Sequence, residues 1–530
     1  MLFRALALSA LTAAFPAAAS AQQVGAIETA ELRQLDAWSV GALSPAEGAL
    51  PADLWADADA AFLAALLDRL PAAYESPAAQ ALARRVLASG GEAPRGDAHA
   101  AARKRFEALG RMGAADDLAV MAAGAGAALT DPAIAQYAAQ AELARGRRAE
   151  ACARGRSANA DTPAPFVLRL RAYCAAVGGD RAAADLALEL ARASGAEDAW
   201  FTSAIAAIAG APGVRAPAAR YENSLTTQIS LAARLRPGPN PLNAASTLAL
   251  VTLARGDTAP QPQRVQAAAL AYRRGALSAV ETRAILLATP AEIASALPPI
   301  AVALRQVHAA PGALPAATAI AEVLRQAAAP ADFTAAAYFF KDDIASLAAA
   351  PDAGSALLFA RAAIAAGDTA LAERLSQSAR QAGLDSAVLA PLDAALAVMA
   401  DVRGASAAAA VRRRIDAAGA SLARAGARDV AILAALGFAI DGAARGFLFA
   451  NPPQGGARAE AGAMLALAAA AERGAVGETA LLAVTAAGEA GPTRLDAESL
   501  ARIIGSLRAV GLEADARRFA IEALLAGQPS

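Results

Sequence analysis

The chain has 530 residues, 57% hydrophobic and only 4% aromatic, with 48 basic side chains against 49 acidic ones. That balance excludes the basic field that gathers nucleic acid or anionic lipid, and the length exceeds what one ordinary core serves. The hydrophobic excess is alanine, the strongest helix former, while the β-branched and aromatic residues that sheets favour are scarce, so the composition reads as all-α.

The first residues combine Arg4, an apolar run from Ala5 to Phe15, a helix-breaking Pro16 and then Ala19-Ser20-Ala21. This pattern is a secretory signal peptide over residues 1–21, cleaved between Ala21 and Gln22, which directs the mature chain to a periplasmic or secreted location. No cysteine follows the cleavage site, so no lipid anchor is expected. Mean hydropathy is +0.36, yet the longest later charge-free stretch, Arg236 to Arg255, carries Pro237, Pro239, Asn240, Pro241 and Asn243. It reads as a loop entering a helix, and the mature chain is expected to hold no transmembrane segment.

Pro51 is expected to open an amphipathic helix in which Leu54, Trp55, Phe62, Leu63, Leu66 and Leu70 recur at helical spacing until Pro71 stops it. A second helix spans Pro77 to Ser89, ended by Gly90-Gly91, and a loop runs from Glu92 to Gly96. The two cysteines, Cys152 and Cys174, fall on helical segments around Ala149 to Ser157 and Phe166 to Val177, which flank a break with Asp161, Pro163 and Pro165. At about 1.5 Å of rise per residue they lie at similar heights on antiparallel helices, so a disulfide is expected in an oxidising compartment. Two free core thiols or a redox pair are the alternatives; no C-x-x-C supports the second.

A turn signature recurs at Gly179-Asp180 with Ala184 and Ala191, at Gly367-Asp368 with Ala372 and Ala379, and at Gly511 with Ala516 and Ala523. Glycine ends one helix in a left-handed conformation, aspartate starts the next, and alanines allow close packing. The signature resembles the second half of a tetratricopeptide repeat. The resemblance implies an α-solenoid of antiparallel helix pairs, divergent because the units are unevenly spaced and the usual closing proline is replaced by Ala196 and Leu384. Proline-rich seams at Arg236 to Pro241 and Asn451 to Gly456 suggest helical blocks over residues 22–236, 241–450 and 457–530. The last pair, Glu498 to Val510 and Glu513 to Leu525, is expected to form a capping hairpin.

No residue constellation for catalysis or for a cofactor stands out. His99 and His308 are isolated, with no H-E-x-x-H pattern for zinc, and no G-x-S-x-G elbow marks a nucleophile. Gly124-Ala125-Gly126 lacks the third glycine and the strand of a phosphate loop and reads as a tight helix end. Asp116-Asp117 and Asp342-Asp343 are neighbours that point about 100° apart on a helix, so they read as helix starts. Tyr338, Phe339 and Phe340 form the densest aromatic cluster, read as core with a ligand-facing patch as the alternative. The alanine-rich helical body also resembles the superhelix of periplasmic lytic transglycosylases, and Glu498-Ser499 echoes their catalytic Glu-Ser, but too little chain follows for the catalytic domain. The expected role is a non-catalytic, cofactor-free scaffold or protein-binding module of the bacterial cell envelope. A cell-wall-acting enzyme or its accessory domain, and a self-associating architectural component, are the alternatives.

Overall fold

The computed structural model describes residues 36–158, 164–211, 215–290 and 297–527. The expected signal peptide, with its expected cleavage point between Ala21 and Gln22, lies outside the described residues, as do Asp161 and Pro163. Among the described residues the regular elements are all helical, and extended pairing is confined to isolated bridges such as Asp59 with Arg95.

Many helix starts share one chemistry. A short polar side chain accepts hydrogen bonds from first-turn amides that have no intrahelical partner: Asp59 from Phe62, Ser76 from Ala79, Asp131 from Ala133 and Ile134, Asp352 from Ser355, and Asp496 from Ser499. Others, such as those at His99, Pro165 and Glu513, have no side-chain cap. The chain opens with α1 (Ala60–Asp68), α2 (Pro77–Ala88), α3 (His99–Met112), α4 (Ala115–Gly124), α5 (Pro132–Ala144), α6 (Arg148–Ser157), α7 (Pro165–Val177), α8 (Arg181–Ala193) and α9 (Ala199–Ile208). It continues through α10 (Ser224–Ala232), α11 (Thr247–Arg255), α12 (Gln261–Arg273), α13 (Ala279–Leu287), α14 (Pro299–Ala309), α15 (Leu314–Gln326), α16 (Pro330–Phe339) and α17 (Lys341–Ser346). The last run is α18 (Ala353–Ala365), α19 (Thr369–Gln381), α20 (Ser386–Met399), α21 (Gly404–Ala418), α22 (Ala423–Ala435), α23 (Gly442–Ala450), α24 (Ala461–Glu472), α25 (Val476–Ala487), α26 (Ala497–Ala509) and α27 (Glu513–Ala526).

The expected helix from Pro51 begins only at Ala60. Residues 52–57 make turns that bury Leu54 and Trp55, and the Asp59 cap together with the Ala60 amide on the Arg95 carbonyl fixes the later start. Phe62, assigned to the apolar face, is 40% exposed. The cysteines are bridged as expected, with Cα atoms 5.8 Å apart, pinning α6 to α7.

The three turns have one geometry. Gly179, Gly367 and Gly511 have φ of 80°, 72° and 79°. The amide of the next residue returns to a carbonyl five positions back, from Asp180 to Ala175, Asp368 to Ala363 and Leu512 to Leu507. Asp180 and Asp368 then cap the following helices on the amides of Ala183 and Leu371, while Leu512 has no such side chain. Ala184, Ala191, Ala372, Ala379, Ala516 and Ala523 are all buried. The same backbone closure occurs at Gly113, Gly146, Gly437 and Gly474, and at Asp401, which adopts φ of 49° without being glycine. Among these left-handed turns, one set falls at 113, 146 and 179, 33 residues apart, and another at 367, 401, 437, 474 and 511, 34 to 37 apart, while the same closure at Gly195, Gly210, Arg234 and Gly275 lies outside both runs. Helix pairs recur in two nearly regular runs, a spacing that the Gly-Asp motif alone leaves invisible.

Residues from the two ends of the unit Asp36–Ser530 pack together. Helix α25 lies on α1 and α2, and α27 lies against α2, α18, α20, α22 and α26. The Gly477 amide donates to the Leu54 carbonyl at 3.3 Å and the Glu75 amide to that of Glu489 at 2.8 Å, while Arg85 pairs with Asp515. Gly477 is required at this crossing, since a Cβ there would lie 2.8 Å from both the Leu54 oxygen and the Trp55 ring. On α27, Phe519 and Leu524 are fully buried, each worth about 1.5–3 kcal/mol by area. Further along the chain, at the proline seams, Ala219 bridges to Pro237 and Ala457 to Leu495, and Asn240 takes φ of 46°.

A candidate binding cleft

Segments distant in sequence wall a cleft of about 940 Å³ that is open to solvent: the start of α2, the α15–α16 connection with one side of α16, the C-terminal part of α18, and α27. Gly367, in the helix-end turn after α18, and Pro330, at the first position of α16, both line it. Most of the wall is apolar, with Leu324, Phe333, Leu358, Ile364, Met399 and Ile521.

Two charged groups in this wall have no opposite charge within ion-pair distance among the described residues. Arg361, on α18, donates from Nη2 to the Leu525 carbonyl at 2.9 Å, and its guanidinium lies 5.1 Å from the centre of the Phe333 ring. Burial holds it below the usual arginine range. Glu522, on α27, faces the first turn of α2, where its Oε2 accepts from the Ala78 amide at 2.9 Å. The amides at a helix start favour a carboxylate, but Oε1 is shielded from solvent without a hydrogen-bond partner. Burial pushes the carboxyl up to about 7, with the Ala78 amide and the Ser76 hydroxyl offsetting it only in part.

Arg325, Arg517 and Arg518 also line the cleft, each tied to an acid outside the lining: Glu322, Asp401 at 2.9 Å and Asp515 at 3.4 Å. The aromatic cluster divides. Phe339 and Phe340 are core, with ring centres 5.0 Å apart and Tyr272 5.3 Å from Phe339, whereas Tyr338 is 52% exposed and lines the cleft. Sequence reasoning singled out Tyr338 but neither Arg361 nor Glu522, because a single charge on an amphipathic helix carries no local mark.

The remaining candidates are dispersed. His99 Nε2 lies 2.8 Å from Asp131, which also accepts from Arg103 at 2.6 Å while capping α5, so this trio is part of a helix start. His308 is exposed in the last turn of α14. Asp117 forms a two-point pair with Arg84, and Asp116 pairs with Arg145 and Arg255. Asp343 pairs with Arg283 at 2.7 Å. A Cβ on Gly124 would meet Val40 at 2.7 Å, in keeping with a tightly packed helix end. Ser499 is buried and accepts from the Ala459 amide, while Glu498 pairs with Arg502 and Arg458. Neither belongs to the cleft wall. Among the described residues no group of His, Cys, Asp and Glu is arranged to hold a metal ion, and no helix is long and apolar enough to cross a membrane.

No family model matches this chain, and neither curated proteins nor solved structures gave a significant similarity to it.

Proposed function

We propose that this chain is an exported, tetratricopeptide-like helical-repeat protein of the cell envelope, and that it works as a binding module by seating a segment of another protein in the cleft beside α27. The observation that carries the reading is the cleft itself: an open apolar trough, walled by helices from both ends of the unit, with Arg361 and Glu522 each lacking an opposite charge within ion-pair distance among the described residues. Arg361 is held by the Leu525 carbonyl, and a ligand that supplies an acceptor would complete its remaining N–H groups. The recurrence of helix-pair turns at 33 to 37 residues supports a repeat of the tetratricopeptide length. The Cys152–Cys174 bridge suits an oxidising compartment.

Photo-crosslinking in living cells tests this. A photoreactive phenylalanine replaces Tyr338 in the cleft or, as a control, Phe449, which is 92% exposed on α23. Discrete protein adducts from position 338 and none from 449 are expected; equal labelling from both positions, or none from either, overturns the reading.

A further inference from the structure

We infer that the segment received by the cleft is acidic: a stretch of partner polypeptide in which carboxylate side chains alternate with apolar ones, the carboxylates meeting Arg361 and the rim arginines, the apolar groups lying on Phe333, Leu358 and Ile521. The inference deepens the binding role proposed above and rests on it.

Charge complementarity decides the occupant. The protein as a whole is balanced, 48 basic residues to 49 acidic, yet this wall presents four arginines and a single acid. Arg325, Arg517 and Arg518 are partly neutralised by acids outside the lining, which anchors their forks at the cleft wall. Arg361 has no such acid, and its position is held by the Leu525 carbonyl and the Phe333 face, so its remaining N–H groups are pre-oriented donors. A guanidinium fork binds a carboxylate through two parallel hydrogen bonds, strengthened by the apolar surroundings. The lone acid, Glu522, stands at the α2 wall with its Oε2 already engaged by the Ala78 amide and its Oε1 shielded from solvent. At about 940 Å³ the trough is near the upper end of what one small molecule fills, and its open side suits an extended chain.

The test uses fluorescence anisotropy with the mature full chain and two labelled probes: a short peptide of glutamate and leucine in a glycine–serine background, and its counterpart with lysine in place of every glutamate. The acidic peptide is expected to bind and to weaken as salt rises, and the lysine peptide is not. Arg361→Gln is expected to weaken binding by about tenfold. Because Arg361 also holds the end of α27, the double variant Arg325→Gln/Arg518→Gln, altered only at the rim, provides an independent loss, with thermal melting confirming that each variant folds. Tighter binding of the lysine peptide, equal binding of both, or unchanged affinity in both variants overturns the acidic assignment while leaving a peptide-binding cleft. Binding of neither peptide overturns the binding role itself.

Discussion

Replacing Glu522 by glutamine should stabilise the protein at alkaline pH and leave it unchanged in acid. The carboxyl moves from an ordinary value of 4.5 to about 7 because it is buried beside α2 with no cation in reach. Below 4.5 it is protonated in both the folded and the unfolded chain and costs nothing. Between 4.5 and 7 the unfolded chain releases the proton while the folded chain keeps it, so stability falls as pH rises, and above 7 the full cost persists. At 1.36 kcal/mol for each pH unit between the two values, that cost is about 3 kcal/mol. Glutamine keeps the acceptor for the Ala78 amide and cannot ionise. Urea unfolding of the wild type and Glu522→Gln at pH 4.5 and pH 8 should show a gap that opens only at the higher pH, by about 3 kcal/mol in favour of the variant. A gap of equal size at both values, or a variant less stable at pH 8, would refute the assignment of a buried, unpaired carboxyl.

Cys152→Ser should remove about 3 kcal/mol under oxidising conditions, from reopening a chain loop with a sequence separation of 22, and should change nothing in the presence of dithiothreitol; thermal melts with and without reductant separate the two. Asp429→Asn strands Arg414, whose guanidinium pairs with it at 2.7 Å with both side chains at most 5% exposed, and a loss of about 3–5 kcal/mol is expected in urea titration. Gly179→Ala meets no atom within 4 Å of its new Cβ but must adopt φ near 80°, so calorimetry should show a loss of about 1–2 kcal/mol from backbone strain alone.

Much of the local architecture is written in neighbouring residues. Alanine content marks the helices, Asp180 and Asp368 mark their starts, and Cys152 and Cys174 could be paired because their helices share one bend. The near-regular repeat is harder to read, since at Gly113, Gly146, Gly437 and Gly474 the following residue is not aspartate, and at Asp401 the turn has no glycine. The cleft was not legible at all. Its walls meet through contacts such as Arg85 with Asp515 and Ala78 with Glu522, residues more than 400 positions apart, and no periodicity in either segment encodes the other. Tyr338 shows the same limit within one tripeptide: sequence places three aromatics side by side, and only packing sends two inward and one to the trough.

The proposed binding role depends on α27 joining the two ends of the unit around the cleft, and hydrogen exchange on the intact chain tests that most directly. Residues 513–526 should exchange among the slowest in the molecule, well behind α8, whose Leu186 and Leu190 are exposed at 62% and 47%. Rapid exchange across α27, as in a terminal helix that frays, would contradict the closure and remove the cleft with it.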